Sequence, residues 1–188
     1  MRRIFVAINF PEDLKGRIAR IVEELRPKFD LTNIRFLEPE NWHITVSFLG
    51  YQDDDSIGRI VEAVGEVGAQ LDSFSVQLEK IMYGPPKSPR MIWLTGSRAT
   101  SDRLQELRNG LEDVLADKGV RFRRESRQFN IHITLARFEN VDRLVLPKID
   151  RLFSESFIAE SLDVMESNLK RSGAEYTILS SGKFQDTI

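Results

Sequence analysis

The chain contains two histidines, and both lie in the same short pattern of alternating polar and apolar residues. Residues 41–46 read Asn-Trp-His-Ile-Thr-Val and residues 130–135 read Asn-Ile-His-Ile-Thr-Leu, so both segments follow Asn-x-His-Ile-Thr-apolar. Alternation with a period of two predicts a β-strand with one buried face, because successive side chains of a strand point to opposite sides. Each His is two positions from its Thr, so we expect each pair to share the face of its sheet that is opposite to the core.

The two histidine strands belong to a longer repeat whose halves are offset by 89 residues, the separation of His43 and His132. Each half is predicted to run strand, helix, strand and then the strand that carries the His. The three leading elements are predicted at residues 2–9, 12–28 and 34–38 in the first half, and at 90–95, 101–117 and 120–124 in the second. Such a degenerate duplication predicts two similar lobes related by a pseudo-twofold axis, with a cleft between them.

The remaining predicted elements complete a mixed fold. A further helix is predicted after Asp53-Asp54-Asp55, and the other strands are predicted at residues 42–49, 74–82, 131–138, 156–166 and 175–184. We expect an α+β fold that forms a single bilobal domain over residues 1–188. Each pseudosymmetric lobe is expected to be a mainly antiparallel sheet with helices on its outer face, and the active-site cleft is expected between the lobes.

Strict alternation assigns the side chains of the two histidine strands to opposite faces. The side chains predicted to pack under the first sheet are Trp42, Ile44, Val46 and Phe48, and those predicted under the second are Ile131, Ile133 and Leu135. The imidazoles and the Thr hydroxyls are then left on the concave faces. If the lobes are pseudosymmetric, the two His–Thr pairs meet across the cleft.

Two imidazoles and two hydroxyls that face each other suit displacement at phosphorus. Imidazole titrates near neutral pH, so one ring can deprotonate an attacking water while the other protonates the departing oxygen. The predicted catalytic residues are therefore His43 and His132. Thr45 and Thr134 are predicted to bind the phosphate, because their hydroxyls can donate to its non-bridging oxygens. The residues alone leave open which His is the acid and which is the base.

Other chemistries fit the sequence less well. The absence of Cys excludes thiol nucleophiles, disulfides and Cys-based metal sites. No third ligand accompanies the two His at a zinc-site spacing, and residues 53–55 are better explained as the start of a helix, so we expect neither a metal nor a cofactor. No apolar run approaches the roughly 18 residues of a membrane span, and the N-terminal run is predicted to be a strand and not a signal peptide, so we expect a cytoplasmic protein without membrane partners.

The paired motifs resemble the two-histidine (2H) phosphoesterase superfamily, and the chain is similar within it to the RNA 2′,3′-cyclic phosphodiesterases, also called 2′-5′ RNA ligases. The resemblance runs nearly end to end and is carried by residues 3–8, 43–50, 90–94, 132–137 and 167–177, with Val46 standing where Leu is usual. It implies hydrolysis of a terminal 2′,3′-cyclic phosphate to a 2′-phosphomonoester, without a metal. It also implies that His43 is the proton donor, that His132 is the acceptor, and that the reverse reaction can form a 2′-5′ linkage.

Basic residues near the second motif are candidates for contacts with RNA. Residues 121–127 carry four Arg and one Glu, and the predicted RNA contacts are Arg121, Arg123, Arg124, Arg127 and, after the motif, Arg137. An ordinary solvated strand edge is the alternative explanation of the basic segment. Strict alternation puts Arg137 on the face opposite to His132, so a phosphate contact requires the strand to bend there.

Further candidates around the cleft are aromatic or lie near a proline-rich loop. Phe122 or Phe129 is a candidate to stack on a base. Phe138 has the parity of His132, so it lines either the cleft or the core. Lys87 and Arg90, in and after the proline loop, are weaker candidates for RNA contacts.

Three functions are compatible with these residues. The first is hydrolysis of RNA 2′,3′-cyclic ends by a monomeric enzyme. The second is a phosphodiesterase for small cyclic nucleotides, and the third is a nucleotide- or RNA-binding module that uses the same cleft without turnover. Two complete His–Thr pairs favour an enzyme, because binding alone does not need both.

Overall fold

The computed structural model describes residues 1–29, 33–138, 146–149, 151–170 and 173–186. The helices and strands are, in chain order, β1 (Arg2–Asn9), α1 (Glu12–Leu25), β2 (Ile34–Phe36), β3 (His43–Gln52), α2 (Asp54–Gly68), β4 (Phe74–Gly84), β5 (Met91–Gly96), α3 (Arg98–Asp117), β6 (His132–Phe138), β7 (Arg151–Ala159), β8 (Ser161–Lys170) and β9 (Gly173–Lys183). Short 3₁₀ helices lie at Arg26–Phe29 and Pro39–Asn41. All named strand pairings are antiparallel, and the α+β prediction is confirmed.

The strands of the described residues form two sheets with related orders. The first sheet runs β3-β1-β8-β9 and the second runs β2-β6-β5-β4-β7. Apart from β2, each strand of the second sheet has a counterpart in the first, so β6 corresponds to β3, β5 to β1, β4 to β8 and β7 to β9. Strand β4 comes from the first half of the chain but lies in the second sheet. Its counterpart β8 comes from the second half but lies in the first sheet. Each sheet therefore combines strands from both halves of the sequence.

Three strand predictions need correction. The strand predicted at 34–38 exists as β2, but it pairs with β6 of the second sheet and not within its own half. The segment predicted as a strand at 120–124 has no regular structure, and side chains of the neighbouring elements bond its backbone: Gln52 Nε2 donates to the Arg121 carbonyl at 2.9 Å. The strand predicted at 156–166 is two strands, β7 and β8, because the buried side chains change phase between Ala159 and Leu162.

Periodic apolar residues explain how the helices pack on the sheets. Helix α1 buries Leu14, Ile18, Val22 and Leu25, a spacing of three or four residues that forms one continuous stripe. Helix α3 buries its leucines in the same way. Helix α2 begins at the acidic run, where the Asp53 side chain accepts a hydrogen bond from the Ser56 backbone at 2.8 Å. Asp53 therefore caps a helix, which is the structural role expected for that run.

Both histidine strands contain a β-bulge at equivalent positions. In the first sheet Ala7 is opposite Thr45 and Val6 is opposite Ser47, so Val46 is the extra residue. In the second sheet Trp93 is opposite Thr134 and Ile92 is opposite Ala136, so Leu135 is the extra residue. Val46 and Leu135 are separated by the same 89 residues as the two histidines. The side chains directly beyond each bulge therefore change faces relative to strict alternation, and in β3 a second extra residue, Leu49, follows after Phe48.

The bulges correct two predictions about side-chain direction. Phe48 does not pack under the first sheet as predicted; it is 47% exposed and faces the same side as His43 and Thr45. Its counterpart Arg137 is exposed beside Thr134, and not on the face opposite to His132. Phe138 then turns into the core, where its ring lies 6.0 Å from that of Tyr83, so core packing is the role it has.

Candidate active site

The two histidines occupy equivalent places at the start of β3 and β6, and Cα atoms of these strands approach within 8 Å of each other. His43 and Thr45 line a pocket of about 140 Å³. His132 lines a larger cleft of about 1490 Å³. The pocket and the cleft share two lining residues, Thr45 and Phe48. The structure therefore brings both histidines to adjoining cavities, although they are far apart in the sequence.

His43 is enclosed by aromatic side chains on the concave face of the first sheet. Its ring centroid lies 5.0 Å from that of Phe5 and 4.9 Å from that of Tyr176, which meets it edge-on. Burial lowers the pKa of His43 to about 4, while an interaction with the backbone of Asn41 opposes that shift. The Nδ1 atom is buried, and its contact with Asn41 falls short of a well-formed hydrogen bond. His43 is therefore neutral near pH 7 in the free protein.

His132 is more exposed than His43, and its contact with the backbone is a well-formed hydrogen bond. Its Nδ1 lies 3.0 Å from the backbone carbonyl of Asn130, so an Nδ1 proton bonds that oxygen and leaves Nε2 available to a substrate. Its ring centroid lies 4.5 Å from that of Trp93. In both motifs the backbone of the Asn two positions before the His contacts the imidazole. The backbone makes that contact, so it does not itself explain why the residue is Asn.

The predicted phosphate-binding residues lie beside the histidines on the same faces. Thr45 is exposed and lines both the pocket and the cleft. The Thr134 hydroxyl donates to the Met91 sulfur at 3.8 Å, and Met91 lines the cleft. Arg137 donates to the same sulfur at 3.6 Å. Because thioether sulfur is a weak acceptor, both donors can exchange it for a phosphate oxygen.

A buried polar contact fixes the part of β3 that follows the bulge at Val46. Ser47 follows the bulge and points away from Phe48, and its hydroxyl donates to the Glu112 carboxylate on α3 at 2.9 Å. Both side chains are buried. This contact ties the edge strand β3 to the helix that lies beneath the cleft, and it holds the segment between Thr45 and Phe48 in its bulged form.

The basic segment before the second motif contributes unequally to the cleft. Arg123, Arg124 and Arg127 line it, whereas Arg121 does not. Arg124 bonds the Asp113 carboxylate at 2.6 Å, and Arg127 bonds the Glu125 carboxylate at 2.6 Å. Two of the three cleft-lining Arg residues thus already have a carboxylate partner.

The two phenylalanines proposed to stack on a base belong to the core. Phe129 is 7% exposed and lies under the Arg108 guanidinium, and Phe122 packs against the core. Phe129 lines the cleft, with the Arg108 guanidinium over its ring, whereas Phe122 does not line the cleft; stacking on a base stays a prediction. The backbone N–H of Phe129 donates to Gln105 Oε1 on α3 at 2.7 Å, so this residue lies between that helix and the cleft. Of the weaker candidates, Arg90 lines the cleft and Lys87 does not.

Several cavity residues were not predicted to have a role in the site. They are Arg3, Phe5, Ser167 and Tyr176 in the pocket, and Trp93 in the cleft. Ser167 is notable because its hydroxyl is buried without a hydrogen-bond partner. The alternation of β1 could have indicated Phe5, because its side chain is on the same face of the strand as those of Ala7 and Asn9, which are opposite Thr45 and His43. Tyr176 and Ser167 come from the distant strands β9 and β8, and only the sheet order brings them to His43.

In the part of the chain that the structure describes, no group of three or more His, Cys, Asp or Glu side chains is placed to hold a metal ion. Over the same residues, no helix has the length and apolar character needed to cross a membrane.

Comparison with known proteins identifies similar chains. The family described as LigT like phosphoesterase matches residues 8–93 and 95–176, and each stretch contains one His-x-Thr motif. The RNA 2′,3′-cyclic phosphodiesterase of Archaeoglobus fulgidus is 31% identical over 171 residues, 90% of each chain. The protein of that name from Methanocaldococcus jannaschii is 28% identical over 94% of this chain and 98% of its own length.

Solved structures share the fold over nearly the whole chain. A Thermus thermophilus protein superposes with a TM-score of 0.80 at 24% identity, covering 98% of both chains. Escherichia coli LigT, crystallised with 3′-AMP, superposes with a TM-score of 0.76 at 25% identity and with the same coverage. Together with the sheet order, these likenesses confirm the predicted fold of two antiparallel sheets.

The low pKa of His43 makes the stability of the protein sensitive to pH. In the unfolded chain His43 takes up a proton near pH 6.5, but in the folded protein it does so only near pH 4. As the pH falls through this window the unfolded state binds the extra proton, so we expect the free energy of unfolding to decrease by roughly 2–3 kcal/mol. Urea denaturation of the wild type and His43→Gln at pH 7 and pH 4 measures this loss, which the variant should lack.

His132→Gln is the matched control for the stability experiment, since it removes the exposed ring and leaves His43 in place. We expect the His43-dependent loss to persist in that variant. If wild type and His43→Gln lose the same free energy between the two pH values, burial of a neutral His43 is contradicted.

Proposed function

Because the chain belongs to the LigT-like phosphoesterase family, we propose that it hydrolyses the 2′,3′-cyclic phosphate at RNA ends to a 2′-phosphomonoester. Relatives that align with most of this chain carry the name RNA 2′,3′-cyclic phosphodiesterase. The observation that carries the proposal is the arrangement of the two His-x-Thr strands, which open into adjoining cavities that share Thr45 and Phe48. That arrangement can place one phosphate between two imidazoles.

In the proposed reaction, water attacks phosphorus in line with the 3′ oxygen. One imidazole accepts the proton of the water as the new P–O bond forms, and the other gives a proton to the 3′ oxygen as its bond to phosphorus breaks. The products are a 2′-phosphate and a free 3′-hydroxyl. Each acid–base partner contributes roughly 10²- to 10⁴-fold in rate. Thr45 and Thr134 donate to the non-bridging oxygens, where negative charge accumulates, and Arg137 lies where it can neutralise that charge.

The two histidines have different environments, which bears on their roles. The family resemblance assigns proton donation to His43, yet burial keeps this ring neutral in the free enzyme. A bound phosphodiester is an anion, and a negative charge within about 4–6 Å raises the pKa of an imidazole. We therefore propose that substrate binding itself protonates His43 and prepares it to donate.

The same site supports the reverse reaction with a second RNA. A 5′-hydroxyl can replace water as the attacking group on the cyclic phosphate, and the product is then a 2′-5′ phosphodiester with a free 3′-hydroxyl. We propose that this ligation uses the same two histidines. We also propose that the 188 residues act as one bilobal, monomeric unit in the cytoplasm; a single chain supplies both His–Thr pairs, which supports the monomer.

The catalytic proposal predicts the behaviour of the two histidine variants. We expect His43→Ala and His132→Ala each to lose at least about 100-fold in turnover of an RNA oligomer with a 2′,3′-cyclic end, and the wild type to keep its activity in excess EDTA. Chromatography of the product should show a 2′-phosphate. Full activity in either variant, or a 3′-phosphate product, contradicts the proposal.

The same assay separates the rival functions. Faster turnover of a cyclic mononucleotide than of the oligomer favours a small-nucleotide phosphodiesterase. Binding of RNA without hydrolysis of any cyclic phosphate favours a binding module.

The proposed charging of His43 predicts a difference between two pH profiles. The profile of kcat/KM reports the free enzyme, whereas that of kcat reports the enzyme–substrate complex. We expect His43 to contribute a pKa near 4 to the profile of kcat/KM and a higher pKa to the profile of kcat. Neither of these pKa values should appear in the profiles of His43→Gln. Equal values in the two profiles contradict charging by the substrate.

Arg137 and Arg127 make a matched pair for testing the phosphate contact. Arg137 bonds only a sulfur among its described partners and lies beside Thr134, whereas Arg127 is 84% exposed and bonds Glu125. We expect Arg137→Ala to lower kcat/KM by roughly 10- to 100-fold and Arg127→Ala to change it by less than about threefold. Arg137→Lys should be intermediate, since it keeps the charge but not the planar fork. Equal losses in the two Ala variants contradict a phosphate role for Arg137.

A further inference from the structure

The pocket beside His43 contains polar side chains that the proposed acid–base chemistry does not use. They are Arg3 on β1, Ser167 on β8 and Tyr176 on β9, and all three line the pocket and not the large cleft. The Ser167 hydroxyl is buried and has no hydrogen-bond partner among the described residues. A buried hydroxyl without a partner is costly, because it has given up its bonds to water. A polar group that enters the pocket can supply the missing bond.

Arg3 brings a positive charge to this pocket. Among the residues that the structure describes it pairs with no carboxylate, and its guanidinium lies 4.7 Å from the centroid of the Phe48 ring. Its neighbour Arg2 differs, because it bonds both carboxylate oxygens of Glu166, at 3.0 and 2.6 Å. Side chains alternate along β1, so Arg3 is on the concave face with Phe5 and Arg2 is on the opposite face. The concave face therefore carries the arginine that can bind an anion.

Comparison of the two motifs shows that the charge of Arg3 is displaced from the histidine. The second motif carries its guanidinium on the histidine strand itself, at Arg137, and the equivalent residue of the first motif is Phe48. In the first sheet the guanidinium comes from the neighbouring strand and lies over the Phe48 ring. Arg3 is four residues from Ala7, which is opposite Thr45, so its Cα is about 13 Å along the strand from that pair. Arg137 thus lies beside the reacting phosphate, whereas Arg3 lies where a second anion can bind.

The charge of Arg3 belongs to one side of the site. The residues opposite the two histidines, Asn9 and Thr95, relate β1 to β5 by an offset of 86 residues. With this offset Arg3 corresponds to Pro89, which carries no charge. An RNA end is asymmetric in the same way, because the chain continues from its terminal nucleotide in one direction. In the proposed reaction His43 protonates the 3′ oxygen, so the terminal ribose lies on the side of the pocket.

We propose that this pocket is a subsite for the phosphodiester that joins the terminal nucleotide to the rest of the RNA, an inference that rests on the proposed function. Arg3 supplies the positive charge. The hydroxyls of Ser167 and Tyr176 donate to the non-bridging oxygens, and charge-assisted hydrogen bonds of this kind are stronger than neutral ones.

The position of the pocket gives the RNA a direction. The pocket has a volume of about 140 Å³ and adjoins the cleft at Thr45 and Phe48. One nucleotide then has its cyclic phosphate between the two histidines and its 5′ phosphate in the pocket. The RNA chain leaves the site past His43, and the large cleft stays open to the attacking water or 5′-hydroxyl. The subsite distinguishes an RNA end from a cyclic mononucleotide, which lacks the second phosphate.

Removing one negative charge from the substrate tests the subsite. The substrates are a dinucleotide with a 2′,3′-cyclic end, the same dinucleotide with a neutral methylphosphonate linkage, and the nucleoside 2′,3′-cyclic phosphate. We expect Arg3→Gln to lower kcat/KM on the first substrate by roughly 10- to 100-fold, and on the other two by less than about threefold. The methylphosphonate should lower the kcat/KM of the wild type by a similar factor, because it removes the other half of the same charge pair. Retained turnover of the nucleoside shows that the variant is folded.

Arg2→Gln is the matched control, since it removes the adjacent arginine, whose charge is paired on the opposite face. We expect it to change kcat/KM by less than about threefold on every substrate. Ser167→Ala should lower kcat/KM on the native dinucleotide alone, by a smaller factor than Arg3→Gln. An equal loss on all three substrates in Arg3→Gln overturns the proposal, because Arg3 then contacts the reacting phosphate or supports the position of His43.

A binding experiment keeps this inference separate from catalysis. Adenosine 2′,5′-bisphosphate has the phosphate that the subsite is proposed to bind, and adenosine 2′-monophosphate lacks it. In calorimetric titrations the wild type should bind the bisphosphate at least about tenfold more tightly, and Arg3→Gln should show no preference. The same preference in both proteins overturns the subsite. Absence of turnover in the wild type refutes the phosphodiesterase activity, and the titration still decides whether the pocket binds a second phosphate.

Discussion

The arrangement of this site depends on a residue inserted directly after the Thr of each histidine strand. A regular strand sends alternate side chains to opposite faces, so His, Thr and the residue three positions after that Thr cannot all share a face. The bulges at Val46 and Leu135 remove this restriction and bring Phe48 and Arg137 to the cleft. In the first sheet the contact between Ser47 and Glu112 secures the bulged segment from below. Without the second bulge, Arg137 would point into an apolar core, where an unpaired charge is costly.

The repeat in the sequence produces two similar backbones with dissimilar surroundings. The motifs are nearly identical, but the strand next to each motif supplies different neighbours. Phe5 and Tyr176 close over His43 and withdraw it from water, whereas His132 stays open beside Trp93. Desolvation keeps the first ring neutral, and contact with an anion can reverse that state. The chemical difference between two equivalent residues therefore comes from the adjacent strands and not from the motifs.

Periodicity was sufficient to predict the elements whose side chains alternate regularly. Helix α1, the first residues of both histidine strands and their buried apolar faces followed from spacing alone. The bulges could not be predicted, because an inserted residue leaves the local composition unchanged and appears only in the pairing with the next strand. For the same reason the position of β2 in the second sheet and the approach of Tyr176 to His43 were missed. Pairing between distant strands is a property of the whole chain. A local pattern predicts which face of a strand is buried, but it does not predict which strand lies next to it.

The strands β4 and β8 are exchanged between the two sheets. Each half of the chain contributes the strand that lies beside the first strand of the other half, so neither half can complete its own sheet. The edge strands β7 and β9 both come from the second half of the chain, so the exchange involves β4 and β8 and not the whole repeat. Because one chain supplies both halves of the site, the residue opposite Thr134 can be Trp93 while the residue opposite Thr45 is Ala7, a difference that a symmetric homodimer does not permit.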